Sequence, residues 1–114
     1  MAARGDILAL KRAVGFLPGA ELDRFVVVQV DRMTQTLDTV IVCPLDEAVE
    51  AYSAMPGAVP VSPSEAGTKK KQVAIATQIV TLPLSRFEAS IAGRLTRTTR
   101  SRLDDVLKLV LELR

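Results

Sequence analysis

The distribution of apolar residues along the chain predicts a mostly β protein. An apolar alternation at 5–12 predicts a first strand, and the run at 24–31, with three consecutive valines at 26–28, predicts a strand buried on both faces. A second apolar strand is predicted at 39–45. Because only a short polar turn at 34–38 separates these two strands, they are expected to pair as an antiparallel hairpin.

The other segments before residue 96 predict loops, turns and shorter strands. In chain order they are a loop at 13–23, a short helix or structured loop at 46–55, a strand at 57–63, a turn at 64–71, one long strand or two joined at a bend at 72–82, and a last strand at 87–95. Pro60 cannot donate a backbone hydrogen bond, so the strand at 57–63 is expected at a sheet edge.

The end of the chain has the 3.6-residue period of an amphipathic helix. Leu103, Val106, Leu107 and Val110 share one face, and Thr96 is a suitable cap before the first turn. Several strands followed by one helix predict a single α+β, mostly β domain over 1–114, with the helix packed on one side of the sheet.

Composition removes whole classes of chemistry. The chain has one cysteine and no histidine, which excludes an internal disulfide, a serine-hydrolase triad, a Cys–His dyad and histidine metal sites. Any catalysis must use carboxylates, Arg, Lys and hydroxyl groups, without a cofactor. The cysteine, Cys43, lies in an apolar strand and is expected to be an inert core residue.

The same totals bear on location and partners. The single cysteine and the early charges of Arg4 and Asp6 favour a cytoplasmic chain without a secretion signal. No apolar run approaches the ~20 residues that span a bilayer, so no membrane partner is expected. A net charge of +2 permits nucleic-acid binding without indicating it, and an aromatic content of 4% argues against a surface of stacked bases.

Several motifs, in this order along the chain, resemble the MazF/PemK/CcdB toxin superfamily. They are Arg4-Gly5-Asp6-Ile7, Gly19-x-Glu21, Arg24 leading into the valine-rich strand, Gln78-Ile79-x-Thr81, Gly93-Arg94-Leu95 and the terminal helix. The central segment 28–45 is more similar to CcdB. The resemblance implies a small antiparallel SH3-like barrel (CcdB/MazF-like) with a C-terminal helix, assembled as a homodimer, with a cognate antitoxin as partner.

The two branches of the superfamily imply different functions. MazF-like toxins cut RNA without metal, so the leading expectation is a type II toxin with sequence-specific endoribonuclease activity that inhibits growth. The alternatives are a CcdB-like inhibitor of DNA gyrase and a catalytically silent member that only binds its antitoxin. CcdB-like proteins end in an aromatic-Gly-hydrophobic tip that engages gyrase, whereas this chain ends in Leu-Glu-Leu-Arg at 111–114.

Metal-free RNA cleavage requires a base, an acid and a cation at the phosphate. The resemblance assigns these roles to Glu21 and Arg24, with Phe25 replacing the usual proline after the arginine. Asp46 stands where the family generally has Ser or Thr; a carboxylate there would repel the phosphate unless it acts as the base.

The remaining candidates concern RNA binding. The basic run Lys69, Lys70 and Lys71 is expected to follow a phosphate backbone, although such runs are also common in solvated turns. Gln78 is expected to line the groove, unless it is merely a hydrogen-bonded spacer in the sheet. The arginines at 94, 97, 100 and 102 precede or open the last helix, where the helix dipole disfavours cations. They suggest either an acidic partner or pairing with Asp104 and Asp105.

Overall fold

A computed structural model describes the backbone of residues 2–17, 20–47, 49–52 and 55–112, and the side chains of these ranges outside 13–22. Within them the strands are β1 Asp6–Leu17, β2 Ala20–Val27, β3 Thr39–Asp46, β4 Ala58–Val61, β5 Gln72–Ile75, β6 Val80–Pro83 and β7 Gly93–Arg94. The helices are α1 Asp31–Thr36, α2 Val49–Tyr52, α3 Pro63–Ala66 and α4 Arg97–Val110, with a 3₁₀ turn at Leu84–Arg86. The mostly β class with a C-terminal helix is confirmed.

The strands form one curled antiparallel sheet in the order β4-β5-β3-β2-β1-β7, with β6 paired to β3. The predicted segment 72–82 is two strands, since β5 pairs with the end of β3 at Leu45 and β6 pairs with its first half, as far as Val42. Pro60 lies on the edge strand β4, as expected. The sheet is therefore a half-barrel.

The predicted loop at 13–23 is wrong where the structure describes it. β1 continues to Leu17 and β2 begins at Ala20, and their backbones pair at Val14–Leu22 and Gly15–Glu21. The glycine at 15 weakens a strand, but strand-favouring neighbours and the pairing between the two backbones outweigh it.

The antiparallel pairing of β2 with β3 is confirmed, but the connection between them is not the predicted turn. β2 ends at Val27, and the short helix α1 occupies most of the segment expected to be polar turn. The buried Gln29 side chain holds this helix in place by donating to Thr34 Oγ1 at 3.0 Å and to the Thr39 carbonyl at 3.2 Å. A tertiary hydrogen bond thus favours one turn of helix where composition alone indicated none.

Both faces of the central sheet are buried, as predicted for the valine run. On one face Val26 packs with Cys43, Leu45 and the α4 residues Leu103 and Leu107. On the other face the cluster is Leu8, Leu10, Phe25, Val27, Val40, Val42 and Phe87. The Phe25 and Phe87 rings meet edge to face with centroids 5.9 Å apart, an arrangement that stabilises beyond the area buried.

Helix α4 is fixed at its first turn by α3. Thr96 caps it as predicted, its hydroxyl accepting from the Thr99 N–H, and the Thr96 N–H donates to the Glu65 carboxylate at 2.8 Å. Glu65 also accepts from the Ser62 N–H and hydroxyl at 3.1 and 2.9 Å. Burial raises the pKa of Glu65, but these hydrogen bonds and one from the Thr99 side chain outweigh it and lower the pKa to about 2.

The approach of α3 to β7 is close enough to require glycine. A Cβ at Gly93 would overlap the Glu65 carbonyl, and one at Gly67, whose φ is +69°, would overlap the Ala92 carbonyl. The segment 64–71, which was predicted to be a turn, begins within the helix α3. The segment 87–95, which was predicted to be one strand, contains only β7 and an isolated bridge at Phe87. Close backbone packing takes the place of strand pairing here.

Candidate functional site

The strands β2 and β3 separate at one point, which we call the strand fork and define by Arg24, Phe25, Pro44, Leu45 and Asp46. The last β2–β3 pair is Phe25–Pro44. One residue further, Arg24 pairs with Ala9 of β1, and Leu45 pairs with Ala74 of β5. Because Pro44 has no N–H to donate, it is a natural end to the ladder.

Arg24 lies on the first arm of the fork. Its side chain is half-buried, and no carboxylate forms a salt bridge with it in the part of the chain that the structure describes. A partly desolvated guanidinium without a counter-ion favours binding of an anion, and its planar fork suits two oxygens of one phosphate. Glu21 pairs through its backbone with Gly15 on the same arm; its side chain lies outside the described residues.

Asp46 lies on the other arm, half-buried at the end of β3 and opposite Val73. Strand alternation places Arg24 on the face of Val26, and Asp46 on the face opposite to Leu45. The structure thus brings Arg24 and Asp46 to the same fork but not to the same face. A ligand that contacts both must cross the end of the sheet.

The lysine run lies beside the second arm. All three lysines are exposed, and Lys70 Nζ is 3.7 Å from Glu47 Oε2. An open groove of about 670 Å³ is lined by Lys70, Lys71, Glu47, Val49, Glu50 and Ala51. Lys70 therefore lies beside Glu47, the residue after Asp46, and Lys70 and Lys71 share their groove with carboxylates that partly neutralise them.

The two glutamines of this region differ. Gln78 is half-buried in the turn between β5 and β6, and its backbone N–H donates to the Ile75 carbonyl at 3.1 Å. Gln72, at the start of β5, is buried, and its Oε1 has no hydrogen-bond partner among the described residues. Nor do the described ranges bring together three carboxylate or thiolate residues that could hold a metal ion.

Two features were missed by reasoning from the sequence. The Ser62-x-x-Glu65 spacing is a capping-box signal that could have identified the α3–α4 contact. The buried Asp6 accepts from Arg94 Nε at 2.8 Å and from the Ala3 N–H at 2.8 Å, and only the tertiary structure reveals this pair.

Burial raises the pKa of Cys43 to about 12, which agrees with the expected inert core thiol.

Comparison with known proteins gives a family and a fold. A family model described as PemK-like, MazF-like toxin of type II toxin–antitoxin system matches residues 4–111. No curated protein sequence matches the chain. In the described part of the chain, no helix is both long and apolar enough to cross a membrane.

Solved structures with the same architecture include three bacterial toxins. An endoribonuclease in complex with its cognate antitoxin, from a mycobacterial species, is 18% identical over 99% of this chain and 95% of that chain, with a TM-score of 0.74. The Mycobacterium tuberculosis toxin MazF-mt6 is 15% identical over 94% and 97%, with a TM-score of 0.73. MazE–MazF from Deinococcus radiodurans is 16% identical over 99% and 98%, with a TM-score of 0.73. At these identities the likeness establishes the fold.

Proposed function

The chain belongs to the family of PemK-like, MazF-like toxins of type II toxin–antitoxin systems, and we propose that it is a metal-independent endoribonuclease that inhibits growth by cleaving RNA. The observation that carries the proposal is Arg24, a half-buried guanidinium at the strand fork with no carboxylate partner in the described part of the chain. Its proposed partners are RNA, a cognate antitoxin and a second copy of the chain.

In the proposed mechanism a carboxylate removes the proton of a ribose 2′-hydroxyl, and the resulting oxygen attacks the adjacent phosphorus. The bond from phosphorus to the 5′-oxygen breaks, a 2′,3′-cyclic phosphate forms, and the leaving oxygen takes up a proton. Arg24 stabilises the charge that develops on the phosphate oxygens. Glu21 and Asp46 are the proposed proton carriers, and Lys69, Lys70, Lys71 and Gln78 are proposed to hold the flanking RNA.

The direct test is cleavage of a mixed-sequence RNA in EDTA by the purified protein. Arg24→Ala should lower the rate by roughly 10²–10³-fold, the loss typical of one transition-state donor. Arg24→Lys should restore only part of it, because an ammonium group lacks the planar fork. Arg86→Ala, an exposed arginine on the 3₁₀ turn, is the matched control and should cut at the wild-type rate.

Two outcomes would defeat the proposal. A wild-type protein that leaves RNA intact but traps gyrase on supercoiled DNA would be a gyrase inhibitor. Normal growth of a bacterium that expresses soluble protein without antitoxin would leave only a silent antitoxin-binding member. Equal cleavage by wild type and Arg24→Ala would move the catalytic cation elsewhere.

A further inference from the structure

Arg4 of the N-terminal segment and three arginines of β7 and α4 lie on the side of the molecule where β7 meets α4. We call them the arginine face and define it as Arg4, Arg94, Arg97 and Arg100. The Leu95 N–H donates to the Gly5 carbonyl at 2.9 Å, which fixes β7 against the start of the chain. A Cβ at Gly5 would lie 3.0 Å from Arg100 Cδ, so the Arg100 side chain extends over this glycine.

The nearby carboxylates pair with Arg4 and Arg94, and within the described ranges they leave Arg97 and Arg100 unneutralised. Asp6 is buried and accepts from Arg94 Nε, while the Arg94 side chain remains 73% exposed. Asp104 pairs with Arg4 at 2.7 Å, and Asp31 accepts from the Arg4 N–H at 2.6 Å. In the described ranges Arg97 and Arg100 have no carboxylate partner, so the pairing with Asp104 and Asp105 considered from the sequence is not formed.

Arg97 and Arg100 lie at the end of α4 where the helix dipole opposes cations. The first turn of α4 contains no acidic residue, although the positive end of the helix dipole favours carboxylates and opposes arginines there. On a helix with 3.6 residues per turn, Arg97 and Arg100 are neighbours on one side, whereas Arg102 lies roughly 140° away from Arg97. Arg97 and Arg100 therefore belong to the arginine face, and Arg102 does not.

We propose that the arginine face binds the sugar-phosphate backbone of RNA outside the cleavage site, and this inference rests on the proposed function. Backbone binding requires exposed cations and no apolar anchor, whereas a bound acidic protein segment generally inserts apolar side chains. Among the side chains that the structure describes, the large apolar ones that are exposed are Val30, Met33, Leu37, Ile41, Met55, Leu109 and Leu111. None lies on β7 or in the first two turns of α4. The surroundings of Arg94, Arg97 and Arg100 therefore fit a nucleic-acid backbone better than a peptide, whereas Arg4 borders the exposed Val30 through Asp31.

The test is the affinity of the full chain for a long 2′-O-methyl RNA, which cannot be cleaved because its 2′-oxygen is blocked. The double variant Arg97→Gln/Arg100→Gln should bind roughly tenfold more weakly near 0.1 M salt. The slope of log Kd against log salt should fall by about 0.7 for each lost phosphate contact. Arg102→Gln, which removes one exposed charge outside the face, is the control and should keep the wild-type affinity and slope.

Folding and the two proposals can be separated in the same experiment. Removal of cations from a helix N-terminus should leave the melting temperature unchanged or higher, so weaker binding will not reflect unfolding. Wild-type affinity and slope in the double variant, or equal losses in Arg102→Gln, would overturn the arginine face. Arginine-dependent binding of polyglutamate without arginine-dependent RNA binding would also overturn it. A protein that binds RNA through these arginines but never cuts it would refute only the proposed function.

Discussion

Asp46 is a carboxylate at the fork where a phosphate is expected to bind. The lysines at 70 and 71 line the adjacent groove and offset part of its repulsion, which is compatible with a role as a base. We expect Asp46→Asn to lower RNA cleavage about 10²-fold or more, because the amide keeps the shape but cannot accept the 2′-hydroxyl proton. Single-turnover cleavage of one mapped site measures this effect.

The matched control for Asp46 lies just before the other end of β3. Asp38 is exposed, and Asp38→Asn should cut at the wild-type rate. An Asp46→Asn protein that cuts as fast as wild type, or faster, would show that this carboxylate only opposes the substrate. The base would then be sought at Glu21.

At the residue scale, the type and position of each candidate could be predicted from the sequence, but the side chains that it contacts could not. Arg24 and Asp46 were candidates because of the resemblance to the toxin superfamily, and both lie at the fork. The contact of Lys70 with Glu47 could not be predicted, because the helix α2, the strand β4 and the helix α3 separate them in sequence. The Asp6–Arg94 pair likewise joins the two ends of the chain, which no local pattern indicates.

At the element scale, α4 depends on Glu65, which holds its first turn. The pKa of Glu65 is lowered from 4.5 to about 2 in the folded protein, so the carboxylate stabilises the fold fully above pH 4.5. This contribution is lost as the pH falls from 4.5 towards 2. We expect Glu65→Gln to lower the free energy of unfolding at pH 7 by about 2 kcal/mol, and the difference from wild type to shrink below pH 4.5. Urea titrations at several pH values measure it.

Glu88 supplies the control for this experiment. It is exposed, and Glu88→Gln should change the free energy of unfolding by less than ~0.5 kcal/mol at any of these pH values. A Glu65→Gln deficit that stays constant from pH 7 to pH 3 would mean that shape, rather than charge, holds the two helices together.

The elements predicted best are those with the strongest periodicity. The terminal helix and the strands β2 and β3 have strong apolar patterns and were confirmed, apart from both ends of β2, which begins at Ala20 rather than at 24 and ends at Val27 rather than at 31. The predictions failed where tertiary contacts outweigh local signals: backbone pairing extends β1 through Gly15, and Gln29 holds α1 in a polar segment. In β7, the fit of Gly93 against α3 limits the strand to two residues.

At the scale of the whole molecule, an apolar surface on and beside α1 is exposed. Its members are Val30, Met33, Leu37 and Ile41, with Val30 53% and Met33 45% accessible. A domain of this size gains stability by sharing such a surface with a second copy. Sedimentation at micromolar concentration should give about twice the 12.3 kDa chain mass, and Met33→Asp should shift the protein towards monomer.

Leu109 is the control for the dimer. It is more exposed than Met33, at 72%, and lies near the far end of α4. Leu109→Asp should leave the sedimentation coefficient unchanged. A wild-type monomer at these concentrations, or equal dissociation by both variants, would remove α1 as the shared surface.

The burial of Cys43 makes its thiol a natural probe of how often the structure opens. The chain has one thiol; it is fully buried between the sheet and α4, with its pKa raised to about 12. A thiol reagent acts on the thiolate, so it can modify the protein only when the elements packed over Cys43, α4 among them, move away from it or the whole chain opens. The labelling rate at pH 7 therefore counts these openings without an introduced probe. Glu65→Gln should label faster than wild type, because it lowers the free energy of unfolding. If the opening free energy obtained from labelling is smaller than the global free energy of unfolding, α4 releases by itself; equal values would mean that the helix and the sheet open only together.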